Sequence, residues 1–123
     1  MIEDNPGDAR LTQEMLKDIE ECNFEVLHAL RLDEGLKYLI TNEFDLILLD
    51  LCLPDSKGID TFDIMSYNAP DLPIIVLSGL EDEMFAISAV GKGAEDYLIK
   101  GEVDSRSLFN SIKQSLEHQH MEI

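Results

Sequence analysis

Phe44-Asp45-Leu46-Ile47-Leu48-Leu49-Asp50-Leu51-Cys52-Leu53-Pro54-Asp55-Ser56-Lys57-Gly58 is the stretch whose reading decides the fold. Leu46 to Leu49 is an unbroken apolar run too short for a helix, so it reads as a strand buried on both faces, as inside a parallel sheet covered by helices. The run closes on Asp50, and Pro54 with Gly58 marks a loop soon after. Asp50 therefore stands at the C-terminal edge of a central strand, the edge where open α/β sheets bind ligands. Taken alone, a strand-end Asp reads equally well as a cap on the following turn.

Working outward, Met1-Ile2-Glu3-Asp4 reads as the end of a first strand, and Asn5-Pro6-Gly7-Asp8 is a turn with Asp8 as candidate N-cap of a helix. Leu11, Met15, Leu16 and Ile19 recur at helical spacing up to Asn23, and Phe24 to Leu27 reads as a second strand. Leu32, Leu36, Leu39 and Ile40 give a second helix ahead of the central strand. Ile59 to Tyr67, carrying Phe62 and Met65, gives a third. Pro73 to Ser78 is another fully apolar strand, ending on a hydroxyl. Phe85, Ala86, Ala89 and Val90 mark a fourth helix, closed by Gly91 and Gly93. Asp96 to Lys100 is a strand ending on an amine, and Leu108, Phe109, Ile112 and Leu116 supply the stripe of a last helix, with the tail from Glu117 to Ile123, including His118 and His120, expected to fray. Strands alternating with helices imply a doubly wound α/β domain with a parallel sheet and right-handed crossovers.

The 123 residues suit a single domain. Its 26 acidic against 9 basic residues give a formal charge of -17, which argues against direct nucleic-acid binding and against anionic membrane surfaces. No apolar run approaches the ~20 residues of a membrane span. Cys22 and Cys52 form neither a CxxC pair nor a zinc pattern and read as free thiols in a reducing compartment, so a cytoplasmic address is expected. Only Met1 and Ile2 precede the acidic pair, where core strands run ~5–6 residues, so the chain is expected to be excised from a longer one.

One sheet edge would then collect Glu3, Asp4, Asp50, Ser78 and Lys100. Converging carboxylates repel one another unless a cation joins them, and hard oxygen ligands suit Mg2+. A carboxylate so placed can act as a nucleophile toward phosphorus, with metal, amine and hydroxyl meeting the charge on the transferred oxygens. Each residue also has a plain reading: a snorkelling lysine, a loop-bonding serine, a solvated acidic turn.

The chain resembles the receiver domain of two-component response regulators. The resemblance is carried by Glu3-Asp4-Asn5, by Leu48-Leu49-Asp50-Leu51-Cys52-Leu53-Pro54 with Gly58, by Pro73-Ile74-Ile75-Val76-Leu77-Ser78-Gly79 and by Gly93-Ala94-Glu95-Asp96-Tyr97-Leu98-Ile99-Lys100. It implies a flavodoxin-like (βα)5 sheet of order 2-1-3-4-5, here with a truncated first strand. It also implies Asp50 as phosphoacceptor for a histidine kinase or histidine phosphotransfer protein, and Mg2+ held by Asp4, Asp50 and the Cys52 backbone carbonyl, with Glu3 acting through water. Lys100 would pair with the phosphoryl oxygens, and Ser78 with Tyr97 would form the switch that alters binding of a downstream effector or attached output domain. A homodimer is compatible with the family. The only chemistry implied is self-directed phosphoryl transfer and autodephosphorylation. Residues 98–104 with the last helix also resemble receivers attached to sensor kinases, PAS or diguanylate cyclase modules, which fits excision from a multidomain or hybrid-kinase chain.

The chain departs from the family pattern in places. Gly101 stands where proline is usual, so the cis peptide of that position is not expected; Ser78 replaces the commoner threonine; and apolar Leu80 lies where it would affect entry of water or a phosphodonor. The alternative is a pseudo-receiver that binds partners without phosphorylation, disfavoured because acid pair, acceptor, hydroxyl and lysine are all present. A Mg2+-dependent phosphatase would want a second acid where Cys52 stands. A flavodoxin relative would want a phosphate loop where the Glu3 to Asp8 carboxylates lie.

Overall fold

The computed structural model describes residues 1–121, with side chains through residue 118. Helix α1 (Pro6–Asp18) leads to α2 (Leu32–Thr41), strand β1 (Ile47–Leu49), a small hairpin of β2 (Cys52–Leu53) and β3 (Ser56–Lys57), and α3 (Ile59–Asn68). Strand β4 (Ile74–Ser78) is followed by a single 3-10 turn (Leu80–Asp82), α4 (Glu83–Gly91), β5 (Asp96–Ile99) and α5 (Ser105–Met121). The parallel sheet runs β1-β4-β5, with Leu49 opposite Val76 and Ser78 opposite Ile99. Beyond β1 the order continues through single parallel bridges, Ile2 beside Leu49 and Ala29 beside Ile2. The expected order 2-1-3-4-5 is therefore present, with its first two places reduced to one residue each.

Alternation along the strands builds two cores. Ile47, Leu49, Ile74 and Val76 face α2, α3 and α4, against Phe62, Met65, Ala86 and Ala89, while Leu48, Ile75 and Leu77 face α1 and α5, against Leu16, Leu108 and Ile112. Leu49, Ile75 and Val76 are fully buried, each such side chain being worth roughly 1.5–3 kcal/mol of transfer free energy. Helices cover both faces, so every strand C-terminus opens on one edge.

Several local expectations are corrected. The N-cap of α1 is Asn5, whose side chain accepts from Asp8 N, with Pro6 opening the helix; Asp8 is thereby free for other contacts. The helix ends at Asp18, and its buried face is Ala9, Thr12 and Leu16, leaving Leu11 exposed. Ile40 likewise faces out, and of the α4 stripe only Ala86 and Ala89 are buried, because small residues let that helix lie close to the sheet. Phe24 to Leu27 forms no ladder: a strand at this edge needs a partner, and Met1-Ile2 offers pairing only around Ala29. Helix α5 continues to Met121, past the start of the expected fraying; residues 122 and 123 lie outside the described residues. The described residues contain no cis peptide, and Gly101, at φ 88, turns the chain after Lys100 in the left-handed region that suits glycine.

The hairpin fixes α2. Arg31 precedes the helix without capping it, and Asp55 reaches across instead, accepting from Leu32 N at 2.9 Å and Asp33 N at 3.0 Å. Burial works against its ionisation, but these backbone donors and the charge of Arg31 outweigh it and hold the Asp55 carboxyl below the usual range. Asp55→Ala is expected to cost about 1–2 kcal/mol by urea unfolding at neutral pH. A depressed pKa stabilises the fold above the unfolded carboxyl pKa and ceases to do so as pH falls through the folded value, so the difference between the two proteins should vanish in acid.

Candidate functional site: a lysine-centred carboxylate cluster

The edge assembles as the strands deliver it. Asp50 follows β1, held by its N–H to Ile2 O at 3.0 Å, and its Oδ1 accepts from Cys52 N at 3.1 Å, which fixes the carboxylate against the turn into the hairpin. Glu3 follows Ile2, its N–H bonded to Ala29 O, and its carbonyl meets His28 Nε2 at 2.7 Å. Lys100 follows β5 with its N–H on Ser78 O at 2.9 Å. Its Nζ lies 2.5 Å from Glu3 Oε1, 3.1 Å from Asp50 Oδ2 and 3.3 Å from Asp8 Oδ2. Glu3 and Asp50 are buried, and Asp4 beside them is exposed.

Carboxylate oxygens of Glu3, Asp4 and Asp50 lie within 4.8 Å of one another. One lysine does not neutralise that cluster. Burial, reinforced by hydrogen bonding to and the charge of Asp50, pushes Glu3 up to about 8 against the pull of Lys100. Burial would lower the Lys100 pKa, but the hydrogen bond to Glu3 and the charge of Asp50 prevail and raise it. Such a set of closely placed oxygens, short of positive charge, fits a hard divalent cation.

Ser78 is fully buried at the end of β4, and its Oγ has no hydrogen-bond partner among the described residues. Tyr97, on β5, donates its hydroxyl to Glu83 Oε2 at 3.3 Å at the start of α4; burial, then the charge of Glu83, raises its pKa. Leu80 is 67% exposed on the turn after β4. Cys52 is exposed beside the hairpin turn, two residues from Asp50. The structure thus groups Glu3, Asp4, Asp50 and Lys100 directly, sets Ser78 next to Lys100 through the backbone, and places Tyr97 on the α4 side of β5. Sequence reading missed Asp8 as a lysine partner. Its place four residues after Asp4, in the first turn of a helix starting at the same edge, was the available signal.

The sequence model of the response regulator receiver domain family matches residues 1–121, and the chain belongs to that family. It is 40% identical over 93 residues to the KDP operon transcriptional regulatory protein KdpE of Escherichia coli, across 72% of this chain and 40% of that protein. It is 34% identical over 100 residues to the cell cycle transcriptional regulator CtrA of Caulobacter vibrioides, across 81% of this chain and 42% of that protein. The chain thus spans about two-fifths of the length of these relatives. A CheY-like response regulator receiver domain protein from Methanospirillum hungatei superposes with a TM-score of 0.79 at 30% identity, covering 99% of this chain and 94% of that one. No helix among the described residues is long and apolar enough to cross a membrane.

An acid whose folded pKa is raised binds its proton more tightly in the folded state, so between the unfolded value near 4.3 and about 8 the fold loses stability as pH rises. Without metal, the native protein should lose up to about 1.4 kcal/mol per pH unit more than Glu3→Gln across this window. The Met1 amine, pushed down to about 6 by burial, has the opposite slope but is common to both proteins and cancels. Saturating Mg2+ should erase the difference, since the cation replaces the proton. Thermal unfolding at several pH values checks this, and parallel curves without metal would refute it.

Proposed function

We propose that this receiver domain is a phosphoacceptor in a two-component phosphorelay, taking a phosphoryl group onto Asp50 from a phosphorylated histidine and switching partner binding in response. The observation that carries the reading is the buried, unpartnered hydroxyl of Ser78 on the strand end bonded to Lys100, beside the Lys100–Asp50 pair. An orphaned buried hydroxyl costs about 1–3 kcal/mol, and a ligand acceptor arriving at the site would offset it.

In this reading a carboxylate oxygen of Asp50 attacks phosphorus. The O–P bond forms as the P–N bond of the phosphoimidazole breaks, and the freed ring nitrogen keeps the bonding pair and takes up a proton. Asp4, Asp50 and the Cys52 carbonyl, with Glu3 through water, would hold Mg2+, which supplies positive charge to the phosphoryl oxygens. Lys100 moves its ion pair from Asp50 Oδ2 to a phosphoryl oxygen, and Ser78 donates to another. Hydrolysis by water restores the carboxylate, so the self-directed chemistry is complete.

The switch follows from the same groups. The aspartyl phosphate favours the conformer in which Ser78 reaches it, and Tyr97, released from Glu83, follows inward. Met84, Phe85, Ile87 and Val90 leave apolar surface exposed on α4, so movement there changes what a partner meets. The partners in this reading are a histidine kinase or phosphotransfer protein upstream and an effector or output domain downstream, in the cytoplasm. Self-association to a homodimer would be one form of output.

Incubation with Mg2+ and acetyl phosphate should add one phosphoryl mass to the intact protein, and should fail with Asp50→Asn or without metal. Absence of an adduct together with absence of beryllofluoride binding would overturn the phosphoacceptor assignment and leave a binding-only module. Ser78→Ala should stabilise the unphosphorylated fold by about 1 kcal/mol, since it removes an unpaired hydroxyl. It should also abolish the phosphorylation-dependent shift of α4 amide resonances; an unchanged shift would remove Ser78 from the switch.

A further inference from the structure

A lysine ammonium has three N–H donors, and at Lys100 three carboxylates already meet it. Two of them, Glu3 and Asp50, are buried. The third, Asp8, makes the longest contact, 3.3 Å from Oδ2, through a side chain that is 38% exposed. Its main chain is pinned on both sides: Asp8 N donates to Asn5 Oδ1 at 3.0 Å, and Thr12 Oγ1 donates to Asp8 O at 3.0 Å. Because Asn5 supplies the cap of α1, the Asp8 carboxylate is left to face Lys100. The oxygens that lie within 4.8 Å of one another come from Glu3, Asp4 and Asp50, and Asp8 is outside that set. A divalent cation held by those three would therefore leave the Asp8 charge in place.

We propose that Asp8 is a specificity-determining residue, a fixed negative charge at the mouth of the site that favours phosphodonors of low negative charge, a role that rests on the phosphoacceptor reading of Asp50. Once Lys100 turns from Asp50 to a phosphoryl oxygen, that oxygen and Asp8 share one ammonium and stand as neighbours. Their repulsion grows with the charge on the donor. For charges about 6 Å apart in water-like surroundings it amounts to about threefold in rate per unit of donor charge, and so to about tenfold for a dianion. Acyl phosphates, dianions at neutral pH, are thereby disfavoured against P–N donors, whose nitrogen can carry a proton that offsets one charge.

The test follows phosphorylation of the native protein, Asp8→Asn and Asp8→Glu by intact mass at saturating Mg2+ and neutral pH. Two donors are compared: acetyl phosphate, a dianion, and phosphoramidate, whose ammonium leaves it a net single charge. In both, an Asp50 oxygen bonds to phosphorus as the bond to the leaving group breaks, and acetate or ammonia departs with the bonding pair. Asp8→Asn should raise the second-order rate about tenfold with acetyl phosphate and about threefold with phosphoramidate. Asp8→Glu, which keeps the charge, should restore most of the discrimination. Molar salt, with a screening length of about 3 Å, should shrink the gain. A damaged fold does not raise a rate, so the gain separates this role from a structural one. At equilibrium, beryllofluoride should bind Asp8→Asn about threefold more tightly, read from the Asp50 amide resonance. Equal gains with the two donors, or no gain, would overturn the role of Asp8 and leave the phosphoacceptor reading standing. No adduct and no beryllofluoride binding in any of the three proteins would bring down both.

Discussion

A single ammonium group, Lys100 Nζ, stands against the buried carboxylates of Glu3 and Asp50 and the half-exposed carboxylate of Asp8, with Asp4 close by. Withdrawing such charges from water costs several kcal/mol per ion unless partners meet them, and one lysine meets only part of the demand. The remainder is expressed as protonation: burial first, then the hydrogen bond and charge of Asp50, push Glu3 up to about 8 against the pull of Lys100. The same deficit makes the site receptive to a divalent cation.

The rest of the fold serves to bring these groups to one place. Lys100 is separated from Glu3 by almost the whole chain, and their meeting depends on β5 lying parallel to β4, β4 to β1, and Ile2 beside Leu49. Parallel pairing puts these strand ends on one edge, while the two apolar cores hold the strands in register. The outward link is short. Ser78 and Tyr97 lie on neighbouring strands that pair at Val76 and Tyr97, and Tyr97 reaches Glu83 at the foot of α4, so the edge and the exposed apolar helix are one strand apart.

What the sequence made legible follows from burial on both faces. β1 and β4 are continuous apolar runs with no competing helical reading, and their terminal Asp50 and Ser78 could be placed at the edge from that alone; Lys100 followed as the last residue of the strand read from Asp96. Amphipathic elements were harder. Leu11 and Ile40 sit at helical spacing yet face solvent, because Ala9, Thr12 and Gly35 give α1 and α2 their close faces, and small residues carry little hydrophobic signal. The pairing at Ala29 was hidden because a one-residue bridge has no periodicity. The triple contact of Lys100 with Glu3, Asp50 and Asp8 is tertiary, and Asp8 had an equally good local reading as a cap that Asn5 in fact supplies.

The central claim is that the lysine-centred cluster is built to exchange its internal ion pairs for those of a phosphoryl group. Resonance mapping with Mg2+ and beryllofluoride, a stand-in for the aspartyl phosphate, tests it most directly. The account predicts saturable shifts at the amides of Asp50, Ser78 and Lys100 that extend through Tyr97 into α4 and are lost in Asp50→Asn. Mg2+-induced shifts that saturate at Asp4 and Asp50, with no further response to beryllofluoride, would contradict it.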